Sequence, residues 1–308
     1  MRKIRIGTRA SRLALWQAEF VAAELKKFFP ELEIEIVKVR TTGDKILDAP
    51  LAKIGGKGLF TKELESQMIQ GAIDLAVHSL KDVPTELPAG FKIAAITRRA
   101  QPFDAFVSNK FSSFDALPKN SVVGTSSLRR AAQILSLRPD LQIKNLRGNV
   151  ETRLKKLDAG EFDAIILAAA GLDRLGYSSR INELLTEIIP AAGQGALAIE
   201  TRADDEKIFS LVQVLNDEET CAAVKVEREF LTEVGGSCQI PVGVFATIDG
   251  GQIKVRALIA SIDGQKIVKT SEIATLEKID GLGKKIAAKL LDSGGREILN
   301  ELILKGAD

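Results

Sequence analysis

Histidine and cysteine are nearly absent from this chain, and each scarcity closes a class of chemistry. His78 is the only histidine in 308 residues, which excludes a multi-histidine metal centre, and Cys221 and Cys238 are too far apart for a compact zinc pair. No metal is expected. Two thiols also make no disulfide framework, so any cysteine chemistry falls to a single thiol in a reducing compartment. No stretch approaches the roughly 20 apolar residues that span a bilayer, and the opening Met1-Arg-Lys-Ile-Arg-Ile-Gly has no apolar signal core. A cytoplasmic protein without a membrane partner is the expectation. A net charge of +2, with 43 basic and 41 acidic residues interspersed, gives no general attraction for nucleic acid.

What is present points to a globular enzyme-sized chain: 45% apolar and 27% charged residues over a length that needs two or three cores. One unit occurs twice. Residues 3–8 alternate like a strand, a Gly-Thr turn follows, and residues 11–29 place Leu15, Ala18, Val21, Ala22 and Leu25 at helical spacing. Val122-Val-Gly-Thr-Ser-Ser-Leu-Arg-Arg-Ala-Ala-Gln-Ile-Leu repeats the plan of Ile4-Arg-Ile-Gly-Thr-Arg-Ala-Ser-Arg-Leu-Ala-Leu-Trp-Gln. Downstream, residues 60–70 and 150–159 read as helices running into Gly71-Ala-Ile-Asp-Leu-Ala-Val and Gly160-Glu-Phe-Asp-Ala-Ile-Ile, each a Gly-x-apolar-Asp turn into a buried strand. Two matches in the same order predict two similar α/β domains with mostly parallel sheets.

Residues 93–97 and 105–108 flank a hinge at Arg98-Arg-Ala-Gln-Pro. Gly195-Ala-Leu-Ala-Ile-Glu-Thr-Arg, with a helix over residues 204–215, then returns to the first domain, so two crossovers bound a cleft that can open and close. From residue 217 a long helix precedes strand-like runs at 242–248, 253–261 and 267–273, with hairpin signals at Asp249-Gly-Gly and Asp263-Gly-Gln and a closing helix over 282–291. The expected division is 1–98 with 195–216, then 99–194, then an α+β domain over 217–308.

Ligands of an open α/β sheet sit beyond the carboxyl ends of strands, where turns lead into helix N-termini. Thr8, Arg9 and Ser11 fill the first such turn; Thr125, Ser126, Ser127, Arg129 and Arg130 fill its counterpart; Arg147 and Asn149 lead into the helix carrying Arg153. Helix-end amides, hydroxyls and guanidinium groups together make a receptor for carboxylate or phosphate, although any one of these arginines alone would read as an ordinary surface residue. Arg174 lies outside these turns, in Gly171-Leu-Asp-Arg-Leu-Gly. Lys81 and Asp82 follow a buried strand over residues 73–77 and precede Pro84, so Asp82 is open between a turn cap and a functional carboxylate, while His78 reads as a satisfied buried histidine. Ala52-Lys-Ile-Gly-Gly-Lys-Gly-Leu-Phe lacks the order of a phosphate loop, and residues 41–58 suit a mobile lid. Cys221 sits in a helical run as a small core residue. Cys238, in Gly235-Gly-Ser-Cys-Gln-Ile-Pro, is locally open between an inert and a reactive thiol.

Taken together, Gly7-Thr-Arg-Ala-Ser-Arg-Leu-Ala-Leu-Trp-Gln, Val77-His-Ser-Leu-Lys-Asp-Val-Pro, Gly124-Thr-Ser-Ser-Leu-Arg-Arg, Leu146-Arg-Gly-Asn-Val-Glu-Thr-Arg, Ala192-Gly-Gln-Gly-Ala-Leu and the Cys238 string closely resemble the porphobilinogen deaminases, over nearly the whole chain. The resemblance implies three domains, the first two similar to the periplasmic binding-protein fold. It implies head-to-tail condensation of four porphobilinogen molecules with loss of ammonia and hydrolytic release of hydroxymethylbilane, by a monomer. A dipyrromethane cofactor would be held as a thioether on Cys238. Deamination gives an electrophilic azafulvene, and Asp82 matches the carboxylate that accepts pyrrole N–H bonds and stabilises the cations. Cofactor and substrate contacts are implied for Arg9, Ser11, Gln17, Lys53, Lys57, Phe60, Ser79, Lys81, Thr125, Ser126, Ser127, Arg129, Arg130, Arg147, Gly148, Asn149, Arg153, Ala168, Arg174 and Gln194. The rival reading is a non-catalytic anion-binding protein with a two-domain cleft; a phosphoryl-transfer enzyme is weaker.

Overall fold

The computed structural model describes residues 3–41, 61–235 and 240–305. Ile4 and Ile6 of β1 (Ile4–Arg9) face the first core. The Ser11 side chain then accepts the Ala14 N–H at 3.3 Å and caps α1 (Arg12–Phe28). Ala14, Gln17, Ala18, Val21 and Leu25 recur at helical spacing and turn one face of α1 inward. With β2 (Ile34–Val39), α2 (Lys62–Ile69), β3 (Leu75–Ser79) and β4 (Phe91–Ile96), these elements build a five-stranded sheet ordered β2-β1-β3-β10-β4, where β10 is Leu197–Arg202. The first three strands are parallel and β10 is antiparallel to both its neighbours.

The second sheet repeats this plan. It contains β5 (Asp104–Val107), β6 (Val122–Gly124), β7 (Gln142–Lys144), β8 (Ala164–Ala168) and β9 (Glu183–Leu185) in the order β7-β6-β8-β5-β9, again with three parallel strands and one strand antiparallel to its neighbours. Its helices are α3 (Leu128–Leu137), α4 (Val150–Asp158) and the short α5 (Ala169–Arg174). The odd strand of each sheet, β5 or β10, adjoins a chain crossing between sheets. Residues 97–103 and 186–196 make the two passages, and α6 (Glu206–Val212) follows the second.

The repeat persists at the level of atoms. Asp74 accepts the Arg5 N–H while its own N–H bonds the Arg5 carbonyl; Asp163 does both with Val122. These are the two Gly-x-apolar-Asp turns, fastening a helix exit to β1 in one sheet and to β6 in the other. Gly7 and Gly124 occupy matching sites in β1 and β6 because a neighbouring apolar side chain fills the space of a Cβ. An added Cβ would lie 2.2 Å from Ile73 Cδ1 at Gly7 and 2.7 Å from Phe162 Cδ1 at Gly124.

The third domain begins with α7 (Glu218–Glu233), capped by Asp217 through the Thr220 N–H. Strands β11 (Val242–Asp249), β12 (Gln252–Ala260) and β13 (Ile267–Thr275) form an antiparallel sheet. Val244, Ala246, Val255 and Ala257 pack one face on Phe230 of α7 and on Ile286 and Leu290 of α8 (Leu282–Leu290). The closing helix expected over residues 282–291 is not the last one. Instead the backbone kinks through Gly294, with φ of 105°, and continues as α9 (Arg296–Lys305), which brings Ile298 into the core. A buried carboxylate joins this domain to both crossings: Glu227 binds Arg99 at 2.8 and 3.0 Å and accepts the N–H groups of Gly193 and Ala246.

Candidate active site

The first domain supplies one wall of the cleft. Gln17 donates to Ser79 Oγ at 2.8 Å, and Arg9, Ser11, Gln17, Ser79 and Asp82 line one pocket. Asp82 lies in a single 3₁₀ turn, Leu80–Asp82, directly after β3 and is exposed. The turn is held by the Val83 N–H to the Leu80 carbonyl and the Leu80 N–H to the Ala196 carbonyl. Behind it, His78 meets Glu200 at 2.9 Å, both buried, as the sequence reading of a satisfied histidine expects.

The opposite wall is a buried charge cluster. Asp104 accepts from Arg129 Nη1 at 2.7 Å, from Arg130 Nε and Nη2 at 2.9 and 2.7 Å, and from Gln194 at 3.0 Å. Arg129 also donates to the Ile189 carbonyl, and Arg130 to that of Ile166. Burial alone would push the Asp104 carboxyl up, but the two guanidinium groups reverse this and hold it well below the usual carboxylate range. The two arginine side chains therefore share an internal carboxylate, which sequence reasoning missed. Its only trace in the sequence is an acid at the head of the buried run Ala105–Val107.

Lys81 lies against this cluster, with Nζ 3.4 Å from Gln194 Oε1. Desolvation pushes its ammonium down to about 8, with Arg130 and Arg129 lowering it further against the opposing pull of Asp82 and Asp104. Arg153 is pushed down to about 10, first by burial and then by Arg130 and Arg147, while Asp82 opposes from across the cleft. Arg153 Nε donates to the Gly148 carbonyl. The site thus gathers four cationic side chains, Arg129 and Arg130 buried and Lys81 and Arg153 half-buried, around Asp104 and Asp82.

The hydroxyls divide between two tasks. Ser127 caps α3 and Asn149 caps α4, while Thr8 donates to the Ala14 carbonyl and Ser126 to the Leu146 carbonyl. Thr125 is buried beside Ser127, whose N–H bonds its Oγ1 at 3.2 Å. Ala168 pairs with Asp104 across β8 and β5. Arg174 stands at the flank, donating to the Gly195 carbonyl at 2.6 Å with its guanidinium 5.7 Å from the Trp16 ring centre. Burial pushes it down to about 10. It bridges α5 to α1, while Arg12 of α1 reaches Glu151 of α4 and Tyr177 just beyond α5. Lys53, Lys57, Phe60, Cys238 and, but for Thr41, the lid expected over residues 41–58 lie outside the described residues.

Among the described residues no helix is long and apolar enough to cross a membrane, and no group of three or more His, Cys, Asp or Glu side chains could hold a metal. Residues 4–210 match the family model described as porphobilinogen deaminase, dipyromethane cofactor binding domain, and residues 221–292 match the porphobilinogen deaminase C-terminal domain. The porphobilinogen deaminase of Chromobacterium violaceum is 53% identical over 301 residues, covering 97% of each chain. That of Geotalea uraniireducens is 50% identical over 304 residues, covering 98% of this chain and 95% of its own. Among solved structures, a pheromone precursor lipoprotein of the YaeC family from Enterococcus faecalis superposes with a TM-score of 0.46 at 14% identity, covering 71% of this chain and 94% of that one. A nutrient-binding protein from Burkholderia cenocepacia bound to methionine gives 0.43 at 16% identity, covering 68% and 89%.

Proposed function

The chain belongs to the porphobilinogen deaminase family, and we propose that it condenses four porphobilinogen molecules head to tail, expelling ammonia, and releases hydroxymethylbilane by hydrolysis, a transferase step of tetrapyrrole and haem biosynthesis. The observation carrying this reading is the convergence of Lys81, Arg129, Arg130 and Arg153 on a cleft faced by Asp82, with Asp104 as the buried counter-anion of Arg129 and Arg130. Each porphobilinogen brings an acetate and a propionate, and those carboxylates supply the anions that the depressed Lys81 and Arg153 lack. The same surplus of cations fits a dipyrromethane, which carries two such pairs of acids. We assign its thioether attachment to Cys238. When bound, the cofactor supplies the pyrrole α-carbon to which the next unit joins.

The chain's own residues orient and balance charge. Arg129 and Arg130 are held rigid by Asp104, so they meet ligand carboxylates without losing rotamer freedom. Arg9, Ser11, Gln17, Lys53, Lys57, Phe60, Ser79, Thr125, Ser126, Ser127, Arg147, Gly148, Asn149, Ala168, Arg174 and Gln194 complete the proposed contacts. Asp82 accepts pyrrole N–H bonds and offsets positive charge as it develops. At about 4 Å and an effective dielectric near 20, one such pair is worth roughly 4 kcal/mol, which corresponds to about a thousandfold in rate. We place the domain limits at 1–98 with 195–216, 99–194 and 217–308, and the protein in the cytoplasm as a monomer.

Intact mass tests the reading first, because purified protein should carry a covalent two-pyrrole adduct. Cys238→Ser should lose that adduct and Cys221→Ser should keep it; an adduct mapped to Cys221 would overturn the assignment. Asp82→Asn, with cofactor loaded, should lower turnover by orders of magnitude. Near-normal turnover in the loaded variant would remove Asp82 from the chemistry.

A further inference from the structure

A separate cavity of about 680 Å³ opens between the second crossing and the outer face of the third domain's sheet. Strand alternation explains its walls. Val244, Ala246, Val255 and Ala257 point to the helices, so Phe245 and Thr247 of β11 and Lys254 and Arg256 of β12 point away, with Phe245 opposite Arg256 and Thr247 opposite Lys254. Phe103 meets Phe245 edge to face at a centroid distance of 5.5 Å, and both rings line the cavity with Ile189. Arg256 is fixed by two bonds to the Thr186 carbonyl, at 3.1 and 3.2 Å, with its guanidinium 5.9 Å from the Phe245 ring centre. Lys269 adds a third cation, and Glu187 is the single acid among the lining residues. Lys266 and Lys289 of the same domain are paired with Glu301 and Glu272, whereas among the described residues neither Lys254 nor Lys269 has an acidic partner.

We propose that this cavity is a second binding site, for an aromatic polycarboxylate of the oligopyrrole class. The inference rests on the reaction proposed above, which is the source of such molecules. Three cations and one acid select an anion; two phenyl rings and Ile189 select one that also presents flat apolar surface. A phosphate or an aliphatic acid would engage the cations and leave the aromatic floor in water. The volume lies within the roughly 300–1,000 Å³ of small-ligand sites and accommodates a two-ring segment with its acid side chains. The floor also touches the catalytic machinery, since Phe103 precedes Asp104 in the chain and the Ile189 carbonyl accepts from Arg129.

The probe is a dipyrromethane tetracarboxylate lacking the aminomethyl group, titrated by calorimetry into the full-length, cofactor-loaded protein. Two variants remove the site by different means: Lys254→Glu with Lys269→Glu reverses its charge, and Ser271→Trp fills its mouth. Each should weaken one binding event by about tenfold or more, the order expected for two exposed charge contacts turned repulsive, while saturated porphobilinogen turnover stays within about twofold. Citrate and inorganic phosphate should displace the probe only weakly. Unchanged binding in both variants would overturn the proposal, as would citrate competing as well as the pyrrole. Hydroxymethylbilane formation is measured on the same preparation, so its absence in the unaltered protein would instead count against the proposed reaction.

Discussion

Replacing Asp104 with Asn removes one negative charge from between two guanidinium groups while leaving volume almost unchanged. The fully buried Asp104 carboxylate takes bonds of 2.7 to 2.9 Å from Arg129 and Arg130. With charge centres about 4 Å apart and an effective dielectric near 20, each pair contributes roughly 4 kcal/mol of attraction before desolvation is subtracted. Deleting one partner of such a buried pair costs about 3–5 kcal/mol, because the other charge stays buried without compensation. At roughly 2–4 °C per kcal/mol, Asp104→Asn should lower Tm by about 10 °C at pH 7. The carboxyl is held below its ordinary range in the folded state. Its contribution is therefore complete above the unfolded value near pH 4 and is lost as pH falls through the depressed folded value. The difference in Tm between wild type and variant should hold from about pH 8 down to 5 and narrow below about 4. Scanning calorimetry across that range checks both statements. A Tm within about 2 °C of wild type at pH 7, or a gap that persists unchanged into acid, would refute the account of Asp104 as the counter-anion.

Lys81 has its pKa lowered to about 8 from 10.5, so folding disfavours its protonated form and stability should rise with pH between those values. Carboxylate binding should restore the proton, and calorimetry at pH 8.5 in buffers of different ionisation enthalpy should detect uptake; no uptake would place Lys81 away from the ligand. Glu227→Gln should cost about 3 kcal/mol by leaving Arg99 unpaired, and adding Arg99→Met should recover part of it. A double variant no more stable than the single one would deny that the charge pair matters. Gly7→Ala should cost about 1–3 kcal/mol by overpacking, relieved by Ile73→Val, which removes the clashing Cδ1. Urea titrations of the single and double variants decide this, and a Gly7→Ala protein as stable as wild type would sink the packing argument.

The duplicated unit was legible because its reasons are local. Ser11 and Ser127 are caps, Gly7 and Gly124 are close-packing sites, and Asp74 and Asp163 fasten equivalent turns, so each pair leaves the same residue type in the same structural role, within one residue of register, in both repeats. The cationic turns could be read for the same reason. Ser127, however, is one residue that serves two readings: an N-cap needs the same hydroxyl in the same turn as an anion receptor does, so pattern alone could not separate the tasks. Past the expected closing helix, Gly294-Gly295 has the composition of a helix stop, yet the chain continues as α9 and brings Ile298 into the core.

Partners that meet across the crossings left no such trace. Asp104 is 25 residues from Arg129 and 90 from Gln194, and Glu227 is 128 residues from Arg99. In sequence each acid is one charge among many; its meaning arises when β5 is inserted antiparallel beside β8 and when α7 packs against both crossings. That geometry also makes the two acids unlike in consequence. In the proposed function ligands share the cations that Asp104 faces, so changing it should alter the cleft's electrostatics as well as its stability. Glu227 has its carboxylate oxygens engaged by Arg99, Gly193 and Ala246, and so ties the third domain to the two passages about which the cleft would open. Loosening it should change how the domains move while leaving the charge around Asp82 as it is, a separation that elongation kinetics can read in Glu227→Gln against Asp104→Asn.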